Sequence, residues 1–195
     1  MFKGIKGKRV LITGASGGIG SCMVLLFADH QAKIGIHYHN GKKEAENLVQ
    51  QVEKKQGCAL SFQANLLQGT GGALIKSFVE RFGGIDILIN NAGAVFGSKE
   101  ILELDEISWE NTFRLNTQAP FFLAQSAFRF MKDNGGGKII GISSISAKYG
   151  GSNKTLHYGA SKAALEALNV GLAKAGAPHN ILVNTVRAGF IDTPL

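Results

Sequence analysis

A tyrosine and a lysine four positions apart, Tyr158 and Lys162, are the residues of this sequence that point most clearly to chemistry. On a helix, side chains four residues apart lie on one face, so the lysine ammonium can approach the phenol. A phenol has an unperturbed pKa of about 10, and a nearby cation favours the phenolate and lowers that value. Such a pair can exchange a proton near neutral pH. The spacing alone, however, favours an ordinary surface tyrosine and lysine.

Ser144 ends a short apolar run and precedes the loop that leads to Tyr158. A hydroxyl in this place can donate a hydrogen bond to a carbonyl oxygen whose negative charge grows during reduction. Taken alone, Ser144 fits a helix cap or a loop hydroxyl equally well. Two further polar groups, Asn90-Asn91-Ala92-Gly93 and Asn116, lie at a predicted strand end and on the predicted helix beside it.

A glycine-rich turn stands near the start of the chain, between an apolar run at residues 10–12 and a segment with helical apolar spacing. Its sequence is Thr13-Gly14-Ala15-Ser16-Gly17-Gly18-Ile19-Gly20. A strand, a glycine turn and a helix in this order can hold a pyrophosphate, because glycines allow close approach and the helix N-terminus presents unpaired N–H groups. Glycine spacing alone is weak evidence, so a turn without a ligand stays open, but the order of elements favours a phosphate site.

The elements that must position these groups alternate along the chain. The apolar patterns predict six strands that alternate with helices, and the region 103–132 is predicted to be a long helix with a break near residues 117–120. Such alternation requires right-handed crossovers and a parallel sheet covered on both faces. We therefore predict a doubly wound α/β sheet, a Rossmann fold with three α/β/α layers, whose ligands lie beyond the carboxyl ends of the strands. The predicted strands are residues 10–12, 33–39, 59–64, 85–89, 138–142 and 181–186.

Composition excludes several classes of function. The 195 residues are 45% hydrophobic, which is enough for one core, and the net charge of +7 is scattered without a long basic run, so we expect no nucleic-acid partner. No apolar run approaches the length of a membrane span, and no apolar signal-peptide core precedes the first strand. Cys22 and Cys58 have no metal-ligand spacing, and we expect them to be reduced, buried thiols of a cytoplasmic protein without a metal.

Several segments together resemble the short-chain dehydrogenase/reductase family. The glycine turn matches its T-G-x-x-x-G-x-G motif, and Asn90-Asn91-Ala92-Gly93 matches N-N-A-G. Tyr158-Gly159-Ala160-Ser161-Lys162 matches Y-x-x-x-K, and Asn116 falls where the family keeps a catalytic asparagine. The resemblance covers essentially the whole chain, with the motifs in the family's order.

The resemblance implies hydride transfer between a nicotinamide cofactor and the carbon of a carbonyl or secondary alcohol substrate. Tyr158 would then be the general acid and base, and Lys162 would lower its pKa and hold the nicotinamide ribose. Ser144 would orient the carbonyl, and Asn116 would anchor a water in the proton relay. Ser144 is assigned rather than Ser143 because it aligns with the second serine of the family's pair.

The resemblance also implies which residues hold the cofactor. Between residues 38 and 43 there is no carboxylate, whereas members that use NAD usually have an acid after the second strand. The basic residues there therefore favour NADP(H), with NAD(H) possible. Gly17 replaces the arginine that the family places in the glycine turn, so selectivity for a 2′-phosphate would rest on residues 40–43. The expected cofactor residues are Gly14, Ser16, Gly17, Gly18, Ile19, Gly20, His39, Asn40, Lys42, Asn65, Leu66, Asn91, Ala92, Gly93, Tyr158, Lys162, Gly189, Ile191 and Thr193.

The sequence departs from the family pattern in a few places. Asn65 replaces an aspartate expected near the adenine, Ala188-Gly189 replaces Pro-Gly, and Ser144 lies one position farther from Tyr158 than is usual. The sequence given ends at Leu195, just past the threonine motif. We therefore expect residues 1–195 to form a single NAD(P)-binding domain without the family's C-terminal substrate-covering segment. The alternative to an enzyme is a catalytically inactive nucleotide-binding or regulatory member of this fold.

Expectations about partners follow from the same resemblance. A homodimer or homotetramer is expected to form through residues 103–132 and 156–174. The substrate cannot be identified from the sequence, although Phe96, Tyr149 and His157 suggest an apolar or aromatic wall for a small carbonyl or alcohol compound. Residues 95–99 and 146–157 are expected to contribute to that wall.

Overall fold

Six parallel strands form the centre of the computed structural model, which describes residues 4–97 and 100–192. The strand order is β3-β2-β1-β4-β5-β6, and every neighbouring pair is parallel. This is the order of a doubly wound Rossmann sheet, so the predicted fold class is confirmed. The strands are β1 (Arg9–Ile12), β2 (Lys33–Tyr38), β3 (Cys58–Gln63), β4 (Ile87–Asn90), β5 (Gly137–Ser144) and β6 (Ile181–Ala188).

Helices connect the strands and cover both faces of the sheet. The long helical region predicted at residues 103–132 is divided by a π-helical turn at Arg114–Gln118, near the predicted break. Short 3₁₀ turns at Leu66–Gln68 and Ala177–His179, and the helix α6, were not predicted. The helices are α1 (Gly18–Asp29), α2 (Lys42–Lys54), α3 (Gly71–Phe82), α4 (Glu106–Phe113), α5 (Ala119–Asp133), α6 (Ser146–Tyr149) and α7 (Leu156–Gly176).

Burial on both faces explains the continuous apolar runs of the strands. In β1, Val10 and Ile12 belong to the apolar cluster on one face of the sheet, and Leu11 belongs to the cluster on the other. All three side chains are fully buried. Because side chains alternate across a strand, a strand covered on both faces buries consecutive side chains and is apolar at most positions.

The last two strands are longer than predicted, and their added residues bring Ser144 to the carboxyl edge of the sheet. Both continue by two residues, so that Ser144 pairs with Ala188 at their carboxyl ends. The order of the strands reverses between β1 and β4, which is where ligands bind in open α/β sheets. The residues with predicted chemistry therefore gather at the carboxyl ends of β1, β4, β5 and β6.

The expectation of buried thiols is wrong. Cys22 and Cys58 are free and exposed. Helix α1 buries Gly20, Val24 and Ala28, which share one face, and Cys22 lies two residues away from that face. Cys58 is the first residue of β3, a strand at the edge of the sheet.

None of the helices within residues 4–97 and 100–192 is long and apolar enough to cross a bilayer. In the same ranges, no group of three or more histidine, cysteine, aspartate or glutamate side chains is placed to hold a metal ion.

Candidate active site

The glycine turn is fastened to the carboxyl end of β4. Thr13 Oγ1 accepts hydrogen bonds of 3.0 Å from the backbone N–H groups of Asn91 and Ala92. In return, Asn91 Nδ2 donates to the backbone oxygens of Thr13 and Gly14, at 2.9 and 3.0 Å. Gly14 has a φ of +59°, and a Cβ atom there would lie 2.8 Å from Ala92 Cα. Only glycine fits at position 14, because any side chain there would collide with Ala92. The hydrogen bonds between the two segments hold the glycine turn in place against the N-N-A-G segment.

The start of α1 has the features of an anion site. Its N-cap residue, Gly17, makes no side-chain capping bond, and the first turn contains no acidic residue. The first N–H groups of a helix lack partners within the helix and carry the positive end of its dipole. A Cβ atom at Gly17 would meet nothing within 4 Å, so the approach to these N–H groups is open. The turn therefore fits a phosphate group.

Lys162 is buried beside Gly93 at the centre of the site. Its side chain donates a hydrogen bond of 2.8 Å to the backbone oxygen of Ile142, and only 4% of the residue is exposed. Burial lowers the pKa of Lys162 to about 8. A Cβ atom at Gly93 would lie 2.8 Å from Asn116 Oδ1 and 2.9 Å from Lys162 Nζ. Glycine at this position thus leaves room for both polar groups.

Asn116 lies in the π-helical turn and is fully buried. Its Oδ1 accepts from the N–H of Ala94 at 3.1 Å, and its Nδ2 donates to Ala94 O at 2.8 Å and to Ser161 Oγ at 3.1 Å. Thr117 Oγ1 also donates to Ser161 O at 2.9 Å. The turn therefore joins the loop after β4 to α7. Because both Nδ2 hydrogens are used in the protein, a water could be held only by an Asn116 oxygen.

The two serines at the end of β5 have different surroundings. Ser143 is buried, and its hydroxyl donates to Glu166 Oε1 at 2.7 Å. Ser144 is half-buried, its Oγ accepts from the N–H of Ser146 at 3.1 Å, and it is hydrogen-bonded to Tyr158. The hydroxyl of Ser144 is thus the one beside Tyr158.

Tyr158 does not have the lowered pKa that the spacing predicted. Burial raises the pKa of Tyr158 above its ordinary value, and the hydrogen bond with Ser144 offsets only part of this effect. Lys162 Nζ lies 5.7 Å from the centre of the tyrosine ring and donates to Ile142 O instead. The lysine shares the helix face with the tyrosine, as expected, but in this arrangement its charge does not lower the phenol pKa.

The turn after β2 has an acidic side chain beside it, that of Glu44, which directly follows the carboxylate-free residues 38–43. A Cβ atom at Gly41 would lie 2.8 Å from Ser16 Oγ and 3.3 Å from Glu44 Oε2, so both side chains border this turn. Gly41 is the N-cap of α2, and Glu44 is the third residue of that helix. A glutamate at this helix position commonly reaches back towards the cap, and this signal was available in the sequence. His39 and Lys42 lie exposed in the same region, and Lys42 Nζ is 3.7 Å from Glu46 Oε1.

The predicted adenine-side residues follow β3. Asn65 Oδ1 accepts from the N–H of Leu67 at 3.1 Å and caps the short 3₁₀ turn. The Leu66 side chain is buried in the core, which leaves only its backbone for a cofactor. His37, which the sequence reasoning did not select, is also buried here and bonds to both the glycine turn and Ala64. The sequence did contain a signal for this role, because His37 is a polar residue within the otherwise apolar run of β2.

One cleft of about 570 Å³ brings most of the predicted residues together. Asn116 lies behind the cleft, and His39, Asn40, Lys42, Asn65 and Leu66 do not line it. Thr193 lies outside the described residues, as do Ser98 and Lys99 of the expected substrate wall. A larger hollow of about 790 Å³ runs along β3 between α2 and α3, far from the catalytic candidates. The cleft is lined by Gly14, Ser16, Gly17, Gly18, Ile19, Asn91, Ala92, Gly93, Ile142, Ser143, Ser144, Tyr158, Lys162, Ala188, Gly189, Phe190 and Ile191.

His157 corrects one further expectation. It is fully buried, and its Nε2 forms a hydrogen bond of 2.7 Å with Phe96 O. Its ring stacks on that of Trp109, with 6.5 Å between the ring centroids. It therefore fixes the loop after β4 from behind and does not form part of an open wall. Tyr149, in contrast, is 71% exposed, and Phe190 is 99% exposed at the cleft.

Comparisons with known proteins agree with the geometry. The family model described as short chain dehydrogenase matches residues 8–195. The short chain dehydrogenase mdpC of Emericella nidulans is 36% identical over 193 residues, which cover 98% of this chain and 71% of that protein.

Two crystal structures extend the comparison to the fold. A short chain dehydrogenase from Burkholderia cenocepacia, in complex with NADP, is 31% identical over 97% of this chain and 77% of that chain, with a TM-score of 0.91. The NADH-dependent reductase A1-R′, complexed with NAD, is 30% identical over 98% of this chain and 82% of that chain, with a TM-score of 0.92. The sequence match and the shared sheet lead to one conclusion: this chain belongs to the short chain dehydrogenase family.

Proposed function

We propose that this protein is an oxidoreductase that transfers a hydride between NADP(H) and the carbon of a carbonyl or secondary alcohol, with Tyr158 as general acid and base. The observation that carries the proposal is that Ser144, Tyr158 and Lys162 line the same cleft as the glycine turn. Proton-transfer groups and an anion site in one cleft suit a dinucleotide whose reactive ring would lie beside the tyrosine. Membership of the family and its NADP-bound and NAD-bound relatives support a nicotinamide cofactor.

The residues of the cleft fit such a cofactor. The open N–H groups at the start of α1 would hold the pyrophosphate, and Asn91, Ala92, Gly93, Gly189 and Ile191 would line the part that leads towards Tyr158. The nicotinamide, when bound, supplies or accepts the hydride. Lys162 has three ammonium hydrogens and gives one to Ile142, so the others can reach ribose hydroxyls.

The protein residues would supply the proton. The raised pKa of Tyr158 keeps the phenol protonated at neutral pH, which is the form that a carbonyl reduction needs. After the proton leaves, the phenolate would lie near the Lys162 ammonium, whose attraction acts on the charged form only. A Lys162 ammonium that approached the phenolate more closely than in this arrangement would stabilise it and would lower the Tyr158 pKa by the same free energy.

Ser144 and Asn116 would assist in different ways. The Ser144 oxygen accepts from the N–H of Ser146, which orients its O–H for donation to a carbonyl oxygen. The Asn116 amide holds the π-helical turn against α7, so this residue would serve the reaction through its position, and one of its oxygens would hold the water of the proton relay.

The preference for NADP(H) rests on the basic residues at the start of α2. Lys42 and Lys43 are exposed near the turn that follows β2, where a 2′-phosphate would lie, while Glu44 opposes such an anion. We expect replacement of both lysines by alanine to weaken NADPH binding by about tenfold and to change NADH binding little. A preference for NADPH that survives the double replacement would contradict this assignment.

The remaining expectations stay proposals. We propose that residues 1–195 act as one cofactor-binding domain of a cytoplasmic protein, acting on a small carbonyl or alcohol compound with apolar or aromatic character. The exposed Tyr149 and Phe190 support this substrate class. A homodimer or homotetramer through α4, α5 and α7 would cover exposed apolar residues such as Ile107 and Val170.

The experiment that tests the function measures NADPH and NADH oxidation with a panel of ketones and aldehydes, in wild type and Tyr158→Phe. We expect turnover in the wild type and a loss of at least about a hundredfold in the variant, because the ring remains and only the proton donor is lost. A folded chain that binds cofactor but reduces none of the compounds would favour the regulatory alternative. Equal turnover in Tyr158→Phe would contradict the role of the tyrosine.

A further inference from the structure

A buried histidine at the end of β2 connects two loops of the site. His37 is only 2% exposed, and both of its ring nitrogens have partners. Its Nδ1 accepts from the backbone N–H of Gly14 at 3.0 Å, and its Nε2 lies 3.2 Å from the backbone oxygen of Ala64. Gly14 belongs to the glycine turn, and Ala64 precedes Asn65 on the expected adenine side. The ring therefore spans the two segments between which the adenosine half of a dinucleotide would lie.

The partners determine the tautomer of the ring. A backbone N–H can only donate, so Nδ1 must carry the lone pair that accepts from Gly14. A carbonyl oxygen can only accept, so Nε2 must carry the hydrogen that is donated to Ala64. The neutral ring with hydrogen on Nε2 satisfies both contacts. Burial favours this neutral form as well, since it lowers the pKa of His37 to about 4.

His37 also separates the glycine turn into two halves. Its backbone oxygen accepts from the N–H of Ala15 at 2.8 Å, in addition to the ring contact with Gly14. The N–H groups of Gly14 and Ala15 are thus used within the protein. The residues from Ser16 to Ile19 surround the uncapped start of α1 and line the cleft. The first half of the turn is structural, and the second half is left for phosphate.

We propose that His37 is a positioning residue for the cofactor, which holds Gly14 through its Nδ1 and so orients the phosphate-binding half of the glycine turn. The contact to Gly14 carries this effect, and the contact to Ala64 serves to fix the ring. The inference rests on the proposed function in that it requires a dinucleotide cofactor. It assigns no contact between His37 and the cofactor itself.

Two replacements separate the contacts of the ring. An asparagine carries its oxygen at the place of Nδ1, so His37→Asn can keep the acceptor for Gly14 but cannot reach Ala64. A glutamine reaches as far as Nε2, so His37→Gln can keep the donor to Ala64 but has no acceptor at the nearer position. A purely structural role would make the variants differ in stability alone, whereas the proposal predicts a difference in cofactor binding. Ile34→Val, in the same strand and fully buried, is the control for a small loss of core packing.

The test measures binding of ADP, which carries the adenosine and pyrophosphate groups, by calorimetry to the full chain of each variant. We expect His37→Asn and Ile34→Val to bind within about twofold of wild type, and His37→Gln about tenfold more weakly, because the Gly14 N–H then lacks its acceptor. Turnover at saturating cofactor should change little in all three. Equal binding by the Asn and Gln variants, or weaker binding by Asn than by Gln, would overturn the inference.

Two further results keep the inference testable. If His37→Gln does not fold, nitrogen NMR of the wild-type ring decides: hydrogen on Nε2 alone supports the proposal, and hydrogen on Nδ1 overturns it. A wild type that binds neither ADP nor NADPH would overturn the proposed function and this inference with it. A wild type that binds both, with no difference among the variants, would overturn the inference and leave the proposed function intact.

Discussion

Acid is expected to destabilise the protein through His37. The folded chain holds the pKa of this histidine at about 4, because burial penalises the charged ring, whereas the ordinary value is 6.5. Between these values the unfolded chain binds one more proton than the folded chain, so the stability falls as the pH falls through this window. The two values give a loss of about 2 kcal/mol in the free energy of unfolding between about pH 7 and pH 5.

The assay is urea unfolding at the two pH values, followed by the fluorescence of Trp109, which is the single tryptophan, and by circular dichroism. Other groups titrate in acid as well: the pKa of Glu166 lies below its usual range because Arg187 donates hydrogen bonds to it. His37→Asn keeps those groups and removes the ring, so the difference between wild type and variant isolates the histidine. An equal loss of stability in both proteins would refute the reasoning.

Two more predictions concern the site. Gly93→Ala would bring a Cβ atom within 2.9 Å of the Lys162 ammonium nitrogen. We expect the turnover number to fall by about a hundredfold, because the lysine is displaced, while the protein still unfolds cooperatively in urea. A wild-type turnover number in steady-state kinetics would contradict this packing argument. Glu44→Gln removes a negative charge beside the turn after β2, and we expect it to lower the KM for NADPH by about threefold relative to that for NADH. An unchanged ratio of the two KM values would mean that Glu44 does not face the 2′ position.

The fold could be predicted because its signals are local. Each strand and each amphipathic helix can be recognised from the pattern of apolar residues within its own segment. Only a few sheet topologies are compatible with strands and helices that alternate in this way. The signal of the glycine turn is also local, since the φ of +59° at Gly14 requires glycine at that place. The motifs fall at strand ends, and the parallel topology then brings those ends to one edge of the sheet. Ser144 and Tyr158 line one cleft at this edge.

Contacts that depend on side-chain register could not be predicted. The Lys162 ammonium bonds to Ile142 O, so its direction is decided by a strand twenty residues away, and the expected effect on the Tyr158 pKa is absent. Whether Cys22 is buried depends on which face of α1 packs against the sheet. That face contains Gly20, Val24 and Ala28, and Cys22 lies outside it. The spacing of residues along a helix shows which side chains can come into contact. It does not show which hydrogen-bond partner a side chain such as that of Lys162 takes when several are within reach.

Direct hydride transfer, with Tyr158 as the proton donor, leaves an isotopic label on the product when the cofactor is deuterated. NADPH that carries deuterium in both positions of the reactive nicotinamide carbon is incubated with the wild type and a ketone that it reduces, and the product alcohol is analysed by mass spectrometry. We expect one deuterium on the carbinol carbon of the product in the wild type, and almost no product in Tyr158→Phe despite normal cofactor binding. An alcohol without deuterium, or equal product from the variant, would contradict this mechanism.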